Sequence, residues 1–174
     1  MLLGAALVCS AAADEAAPLD PLDANVVFLP TPRAVVDGMF ELAGVQAGDV
    51  LYDLGAGDGR IPIAAAQRFG IRAIGIEINP RMVEVARANV RRAGVERLVE
   101  IRQGDALEAD IREASVVTLF LFRELNLELR PRLQSQLRPG ARVVSHRFDM
   151  GDWAPDAQVS VNGNPLYLWR IRAR

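Results

Sequence analysis

The stretch Asp53-Leu54-Gly55-Ala56-Gly57-Asp58-Gly59-Arg60 constrains this chain more than any other. It follows a short apolar run and opens an amphipathic segment, so it reads as the junction between a buried strand and a helix. Glycines at that junction let the backbone turn tightly and approach a ligand with no Cβ in the way. In open α/β sheets, ligands bind at this place, the carboxyl end of a strand. The spacing separates two cofactor classes. A dinucleotide fingerprint needs Gly-x-Gly-x-x-Gly, with a small last residue for close helix packing. Counted from Gly55 the last position is Arg60, and counted from Gly57 it is Pro62. Neither frame fits. The frame that does is acidic-x-Gly-x-Gly-x-Gly.

Strands and helices alternate on both sides of this turn. Thr31-Pro32 reads as an N-cap with proline at the first helical position. Val35, Val36, Met39, Phe40 and Ala43 then recur at helical spacing up to Gly44. The apolar pattern predicts strands over 49–54, 72–78, 98–102, 115–122 and 142–148. Helices are expected over 61–69 and from Asn79-Pro80 to Gly94, and a further helical region is interrupted at Pro131. The 115–122 run is apolar almost throughout, as in a strand covered on both faces. This order predicts an α/β fold doubly wound around a mostly parallel sheet. The tail differs: strand-like runs at 158–161 and 166–171 flank Asn162-Gly163, a tight-hairpin signal, so the sheet should end in an antiparallel pair.

Two more acidic residues join Asp53. Glu77 follows the second predicted strand, where a carboxylate can accept both hydroxyls of a ribose. Asp105, in Gly104-Asp105-Ala106, follows the third and can accept from the amino group of an adenine. Together they describe a pocket for a ribose-bearing cofactor whose other end is an amino acid. Acidic walls suit a sulfonium or ammonium cation and repel phosphate. The expected cofactor-binding set is Tyr52, Asp53, Gly55, Ala56, Gly57, Gly59, Glu77, Ile78, Asp105 and Ala106.

Composition narrows the rest. One cysteine (Cys9) and one histidine (His146) leave no Cys-rich zinc site, structural disulfide or Cys/His nucleophile pair, and no metal is expected. The 20 basic residues are all arginine and the net charge is -2, so no basic excess points to nucleic acid. Arg81, Arg87, Arg91 and Arg92 share a helix with Glu84 and read as a solvated face. The apolar run 2–8 followed by Ser10-Ala11-Ala12-Ala13 has the pattern of a signal peptide cut after Ala13, which implies export to the periplasm. Without export the protein would be cytoplasmic. The run is too short to span a bilayer. Residues 14–30 carry three prolines and read as a flexible arm.

Here the sequence resembles a known family. Val50 through Arg60, with Gly75-Ile76-Glu77-Ile78-Asn79-Pro80 and Gln103-Gly104-Asp105-Ala106, is similar to the class I S-adenosylmethionine-dependent methyltransferases. A narrower likeness rests on Pro30-Thr31-Pro32, Asp58-Gly59-Arg60-Ile61, and the 116–122 run with Asn126 and Leu129-Arg130-Pro131. Val144-Ser145-His146 adds to it. These resemble small bacterial methyltransferases that are themselves similar to mitochondrial protein-lysine N-methyltransferases acting on an ATP synthase subunit and the adenine nucleotide translocase. The resemblance implies a Rossmann-like seven-stranded sheet, a methyltransferase domain over 31–174, and methyl transfer to an amine, either a protein lysine or a small molecule. By position, Asp53, Gly55 and Gly57 would hold the methionine moiety of S-adenosylmethionine, Glu77 the ribose and Asp105 the adenine. The leader and the lack of a membrane segment depart from the mitochondrial enzymes and bear on the acceptor rather than the cofactor.

Methyl transfer from a sulfonium is an in-line displacement that needs alignment and a dry polar shell, with no metal or covalent intermediate. The 118–124 segment lacks the Asn/Asp-Pro-Pro-aromatic tetrapeptide, which disfavours methylation of planar amines. An acceptor lysine must first lose a proton, which a carboxylate or a desolvating pocket promotes. Glu124, Asn126 and His146 are the candidate catalytic residues. Phe122, Asp149, Asp152 and Trp153 are further candidates for the lining. Two other readings keep the fold: a non-catalytic S-adenosylmethionine-binding module, and an aminopropyltransferase using decarboxylated cofactor. A monomer is expected.

Overall fold

The computed structural model describes residues 29–173, so the expected signal peptide and all of the arm except residues 29 and 30 lie outside the described residues. The chain runs α1 (Arg33–Ala43), β1 (Val50–Leu54), α2 (Arg60–Phe69), β2 (Arg72–Glu77), α3 (Pro80–Ala93) and β3 (Val99–Gln103). It continues through β4 (Val116–Leu119), α4 (Arg123–Gln136), β5 (Arg142–His146), β6 (Ala157–Val161) and β7 (Asn164–Arg170). The strands form one seven-stranded sheet in the order β3-β2-β1-β4-β5-β7-β6. β1 to β5 are parallel, while β7 pairs antiparallel with both β5 and β6. This is a Rossmann-like, doubly wound architecture with an antiparallel C-terminal hairpin.

Local chemistry explains the elements. The apolar stripe of α1 is wholly buried, and Gly44 ends the helix in the left-handed conformation at φ 61. Asn79 caps α3 by accepting from the backbone N–H of Arg81 at 2.9 Å, with Pro80 at the first position. Asn162 and Gly163 turn the hairpin with φ values of 49 and 79, the two positive angles that a type I′ turn requires.

Alternation along β1 sends Leu51 into the core under α1 and α2, and Tyr52 and Leu54 into the core on the opposite face. Asp53 therefore shares the face of Leu51. In register it lies between Gly75 of β2 and Thr118 of β4. The carboxyl ends of the first four strands thus meet at one edge of the sheet.

Besides shifts of one or two residues at other strand and helix ends, four differences from the sequence pattern bear on the site. α1 begins at Arg33, with Pro32 at the cap position and no side-chain cap bond from Thr31. β4 ends at Leu119, so Phe120, Leu121 and Phe122 leave the sheet. β5 stops at His146 because Arg147 takes φ 70. α4 runs unbroken through Pro131. An interior proline costs a helix about 3 kcal/mol. Here Leu129 and Leu133 are both fully buried on either side of it, and burial of each contributes roughly 1.5–3 kcal/mol.

Candidate active site

The loop after β1 folds down onto β2. The backbone N–H groups of Gly55 and Ala56 both donate to the Ile76 carbonyl at 2.9 Å. That approach needs Gly75, where a Cβ would lie 2.7 Å from Ala56 Cβ and 2.9 Å from Ile101 Cδ1. Gly57, at φ 53, turns its N–H toward Glu77 Oε2 at 2.7 Å. The other Glu77 oxygen accepts from the Asn79 N–H at 2.9 Å. A strand-end carboxylate and the glycine loop are thereby one unit.

A cleft of about 300 Å³ opens over this unit. Asp53, Gly55, Gly57, Glu77 and Asp105 give it polar surface. Ile76, Ile78, Ala106, Leu121, Phe122 and Leu125 give it apolar walls, and Leu29, Pro30 and Thr31 close one side. Asp105 Oδ1 accepts from the Leu107 N–H at 2.8 Å, which fixes its carboxylate at the end of β3. A larger hollow of about 500 Å³ lies elsewhere, at Trp153, Asp156, Arg170 and Arg172. Its carboxylate is already satisfied by Arg172 and the Arg170 N–H.

Asp53 dominates the electrostatics. Burial pushes its carboxyl up to about 7, and the negative charges of Glu77 and Asp58 add to this. Only the 2.7 Å hydrogen bond from Thr118 Oγ1 works against it. Asp58 itself is paired with Arg60 at 2.6 Å, and Arg60 also donates to the Thr31 carbonyl at 3.1 Å. A buried carboxylate with no cation beside it among the described residues, next to two strand-end carboxylates, is an acceptor set for a ligand that carries an ammonium, a diol and an exocyclic amine. S-adenosylmethionine fits these residues. A pyrophosphate would face three carboxylates.

Of the expected cofactor-binding residues, the structure brings Asp53, Gly55, Ala56, Gly57, Glu77, Ile78, Asp105 and Ala106 into this one cleft. Two lie apart. Tyr52 points to the opposite face of the sheet, where its hydroxyl donates to Glu113 at 2.5 Å and accepts from Arg102 at 3.3 Å. Gly59 sits behind the loop at the start of α2, packed against Ala86.

The candidate catalytic residues do not line the cleft. Glu124 is exposed in the first turn of α4, a position the helix dipole favours for an acid. Asn126 is fully buried, and its Nδ2 donates to Ser145 Oγ at 3.1 Å and to the Phe148 carbonyl at 3.3 Å. His146 is buried behind Phe120, with ring centroids 4.0 Å apart. Its Nδ1 lies 3.4 Å from Thr31 Oγ1 and its Nε2 3.3 Å from Asn164 Oδ1. Burial pushes the imidazole pKa down, which leaves it neutral at pH 7. Asp149 pairs with Arg123, Asp152 with Arg130, and Trp153 packs on Trp169. Phe122 does line the cleft.

Sequence reasoning missed Thr31, Thr118 and Phe120. Thr118 was detectable as the hydroxyl inside an otherwise apolar run. The other two had no local signal, because their roles depend on which elements meet.

Residues 53–157 match the ANTKMT methyltransferase domain family. A protein-lysine N-methyltransferase of Saccharolobus islandicus (strain REY15A) is 45% identical, over 84% of this chain and 94% of that protein. The adenine nucleotide translocase lysine N-methyltransferase of Mus musculus is 37% identical, over 87% of this chain and 66% of its own length. Among solved structures, an RNA methyltransferase from Salinibacter ruber in complex with S-adenosyl-L-homocysteine superposes with a TM-score of 0.82 at 57% identity. It covers 84% of this chain and 95% of that one.

Proposed function

The chain belongs to the ANTKMT methyltransferase domain family and is an S-adenosylmethionine-dependent N-methyltransferase, and from that premise we propose that its acceptor is the ε-amino group of a lysine in a protein. The observation that carries this reading is the segment after β4. Beside Asp53 the chain continues as Phe120-Leu121-Phe122, and all three line the cleft. None of their side chains offers a hydrogen-bond acceptor for the two hydrogens of a planar amide or base amine. A flexible alkylammonium needs none: ring faces attract the cation, and desolvation lowers its pKa toward the neutral nucleophile. The lysine methyltransferases among the relatives support the same acceptor.

Bound S-adenosylmethionine supplies an electrophilic methyl group on a sulfonium. The rest of the work falls to the chain. Asp53 would face the ammonium of the amino-acid end, and the backbone at Gly55 and Gly57 would let that end lie close. Glu77, already held by Gly57 and Asn79, has lone pairs left that would accept from the ribose hydroxyls. Asp105 would accept from the adenine amine, and Ile78 and Ala106 would bound the base. The apolar walls exclude water, so alignment rather than a strong base provides most of the acceleration. Among the described residues no helix is long and apolar enough to cross a membrane.

The test is a labelling experiment. The purified chain is incubated with tritiated S-adenosylmethionine and, in separate reactions, total protein or total RNA from the source cells. The expected result is label recovered as Nε-methylated lysine after protein hydrolysis. The enzyme contains no lysine, so labelling of the enzyme itself does not generate that product. Label confined to RNA would overturn the lysine reading. Binding with no transfer to either pool would favour a sensing module.

A further inference from the structure

We propose that the left-handed turn at Arg147 builds the acceptor end of the active site: it sets Phe148 against Phe120 and Phe122 to complete a three-ring aromatic wall along which the lysine side chain runs. Asn126 and His146 act as positioning residues that hold the rings. The inference rests on lysine being the acceptor.

Arginine seldom adopts positive φ, yet Arg147 takes φ 70. The Phe148 N–H donates to the His146 carbonyl at 3.0 Å, across a single residue. That bond and that angle define a γ-turn of the positive-φ form, which is rare and strained. Strain of this kind persists only where the surroundings enforce it, and it clusters at functional sites. The surroundings here are specific. The Arg147 N–H donates to the Pro165 carbonyl at 2.8 Å, anchoring the turn to β7. Asn126 Nδ2 donates to the Phe148 carbonyl at 3.3 Å. Both backbone polar groups of Phe148 are therefore satisfied, one by the turn and one by α4.

The Arg147 side chain does not account for the strain. It is exposed, and its guanidinium makes no hydrogen bond or ion pair among the described residues. What the turn achieves lies one residue further on. The Phe148 ring stacks on Phe120 at 6.4 Å between centroids and 22° between planes, and meets Phe122 at 5.9 Å and 55°. These are the separations at which aromatic rings attract one another. Phe120 is backed in turn by His146 at 4.0 Å. Phe120 and Phe122 line the cofactor cleft, and Phe122 is 61% exposed, so the ring cluster runs from the cleft to solvent.

Charge favours a cation on this path. Its inner end holds Asp53, Glu77 and Asp105, and the one arginine among the lining residues, Arg60, is already paired with Asp58. An alkylammonium sliding over the ring faces is attracted by them while it loses water, and no unpaired arginine lines the cleft to repel it.

The test separates the backbone of Arg147 from its charge. Glycine adopts positive φ freely, whereas valine there is an outlier. Steady-state labelling uses source-cell protein as acceptor, saturating S-adenosylmethionine, and the full chain. Phe148→Ala and Arg147→Val should raise the apparent KM for acceptor protein at least tenfold, and the S-adenosylhomocysteine Kd should stay within twofold of wild type. Arg147→Gly should match wild type in both. The proposal is overturned if Phe148→Ala keeps the acceptor KM, or if Arg147→Gly loses as much as Arg147→Val, which would make the guanidinium the working group. If the wild-type chain labels no protein lysine at all, the acceptor reading itself falls, before any variant is compared.

Discussion

Glu77 Oε2 accepts a 2.7 Å hydrogen bond from the backbone N–H of Gly57, so the end of β2 and the loop after β1 form one rigid piece. Neither residue is remarkable alone. Joined, they hold a carboxylate against a backbone N–H that points at it, and the cleft is shaped before any ligand enters. The chemistry proposed for this protein depends on that preformed unit more than on any single reactive side chain.

Asp53 gives the protein a pH signature. Its carboxyl titrates near 7 in the folded chain and near 3.8 unfolded, chiefly because it is buried. Between those values the folded state holds a proton that the unfolded state has released. Stability of the ligand-free protein therefore falls as pH rises through that window, by a few kcal/mol in all. Asp53→Asn should raise the melting temperature at pH 8 and change it little at pH 4.

A cation beside Asp53 reverses the preference. S-adenosylhomocysteine keeps the ammonium, so its binding should release a proton near pH 7 and tighten between pH 6 and pH 8. Titration calorimetry in buffers of different ionisation enthalpy checks the proton directly. Asp53→Asn should abolish both the release and the pH dependence.

Gly75 is a packing glycine with an ordinary backbone angle. An added methyl would meet Ala56 Cβ at 2.7 Å and Ile101 Cδ1 at 2.9 Å. Gly75→Ala should cost about 1–3 kcal/mol of stability through overpacking. Because Ala56 belongs to the loop, the same change should weaken S-adenosylhomocysteine binding. Thermal melts and calorimetry on one sample check both effects.

Tyr52 provides the contrast. Its neighbour Asp53 faces the cleft, so strand alternation sends Tyr52 to the far side, where it bonds to Glu113. Tyr52→Phe should leave S-adenosylhomocysteine affinity unchanged and cost roughly 0.5–1.5 kcal/mol of stability. A loss of affinity would show that the two faces of β1 are coupled.

The order of elements was legible in the sequence because apolar periodicity and glycine punctuation agree along the chain. Asp53, Glu77 and Asp105 were legible because a parallel sheet must bring successive strand ends to one edge. The failures have physical causes. Phe120 to Phe122 continued an apolar run and so read as strand, yet these residues are apolar because they wall a cleft. Pro131 read as a helix break, but buried leucines on both sides carry α4 through it. Asn126 and His146 were suspected of chemistry for being polar in apolar surroundings. Neither lines the cleft, and each is bonded to, or stacked on, a phenylalanine beside it. The turn at Arg147 left no mark, since nothing in Ser-His-Arg-Phe forecasts a positive φ.

The most direct measurement is a calorimetric titration of wild-type chain and Glu77→Ala with S-adenosylhomocysteine, alongside thermal melts of both. The account predicts one site per chain in the wild type. It predicts a loss of about 1.5–3 kcal/mol in the variant, roughly a ten- to hundredfold weaker Kd, with folding retained. Equal affinity in the two proteins, or no binding to wild type at millimolar ligand, would contradict it.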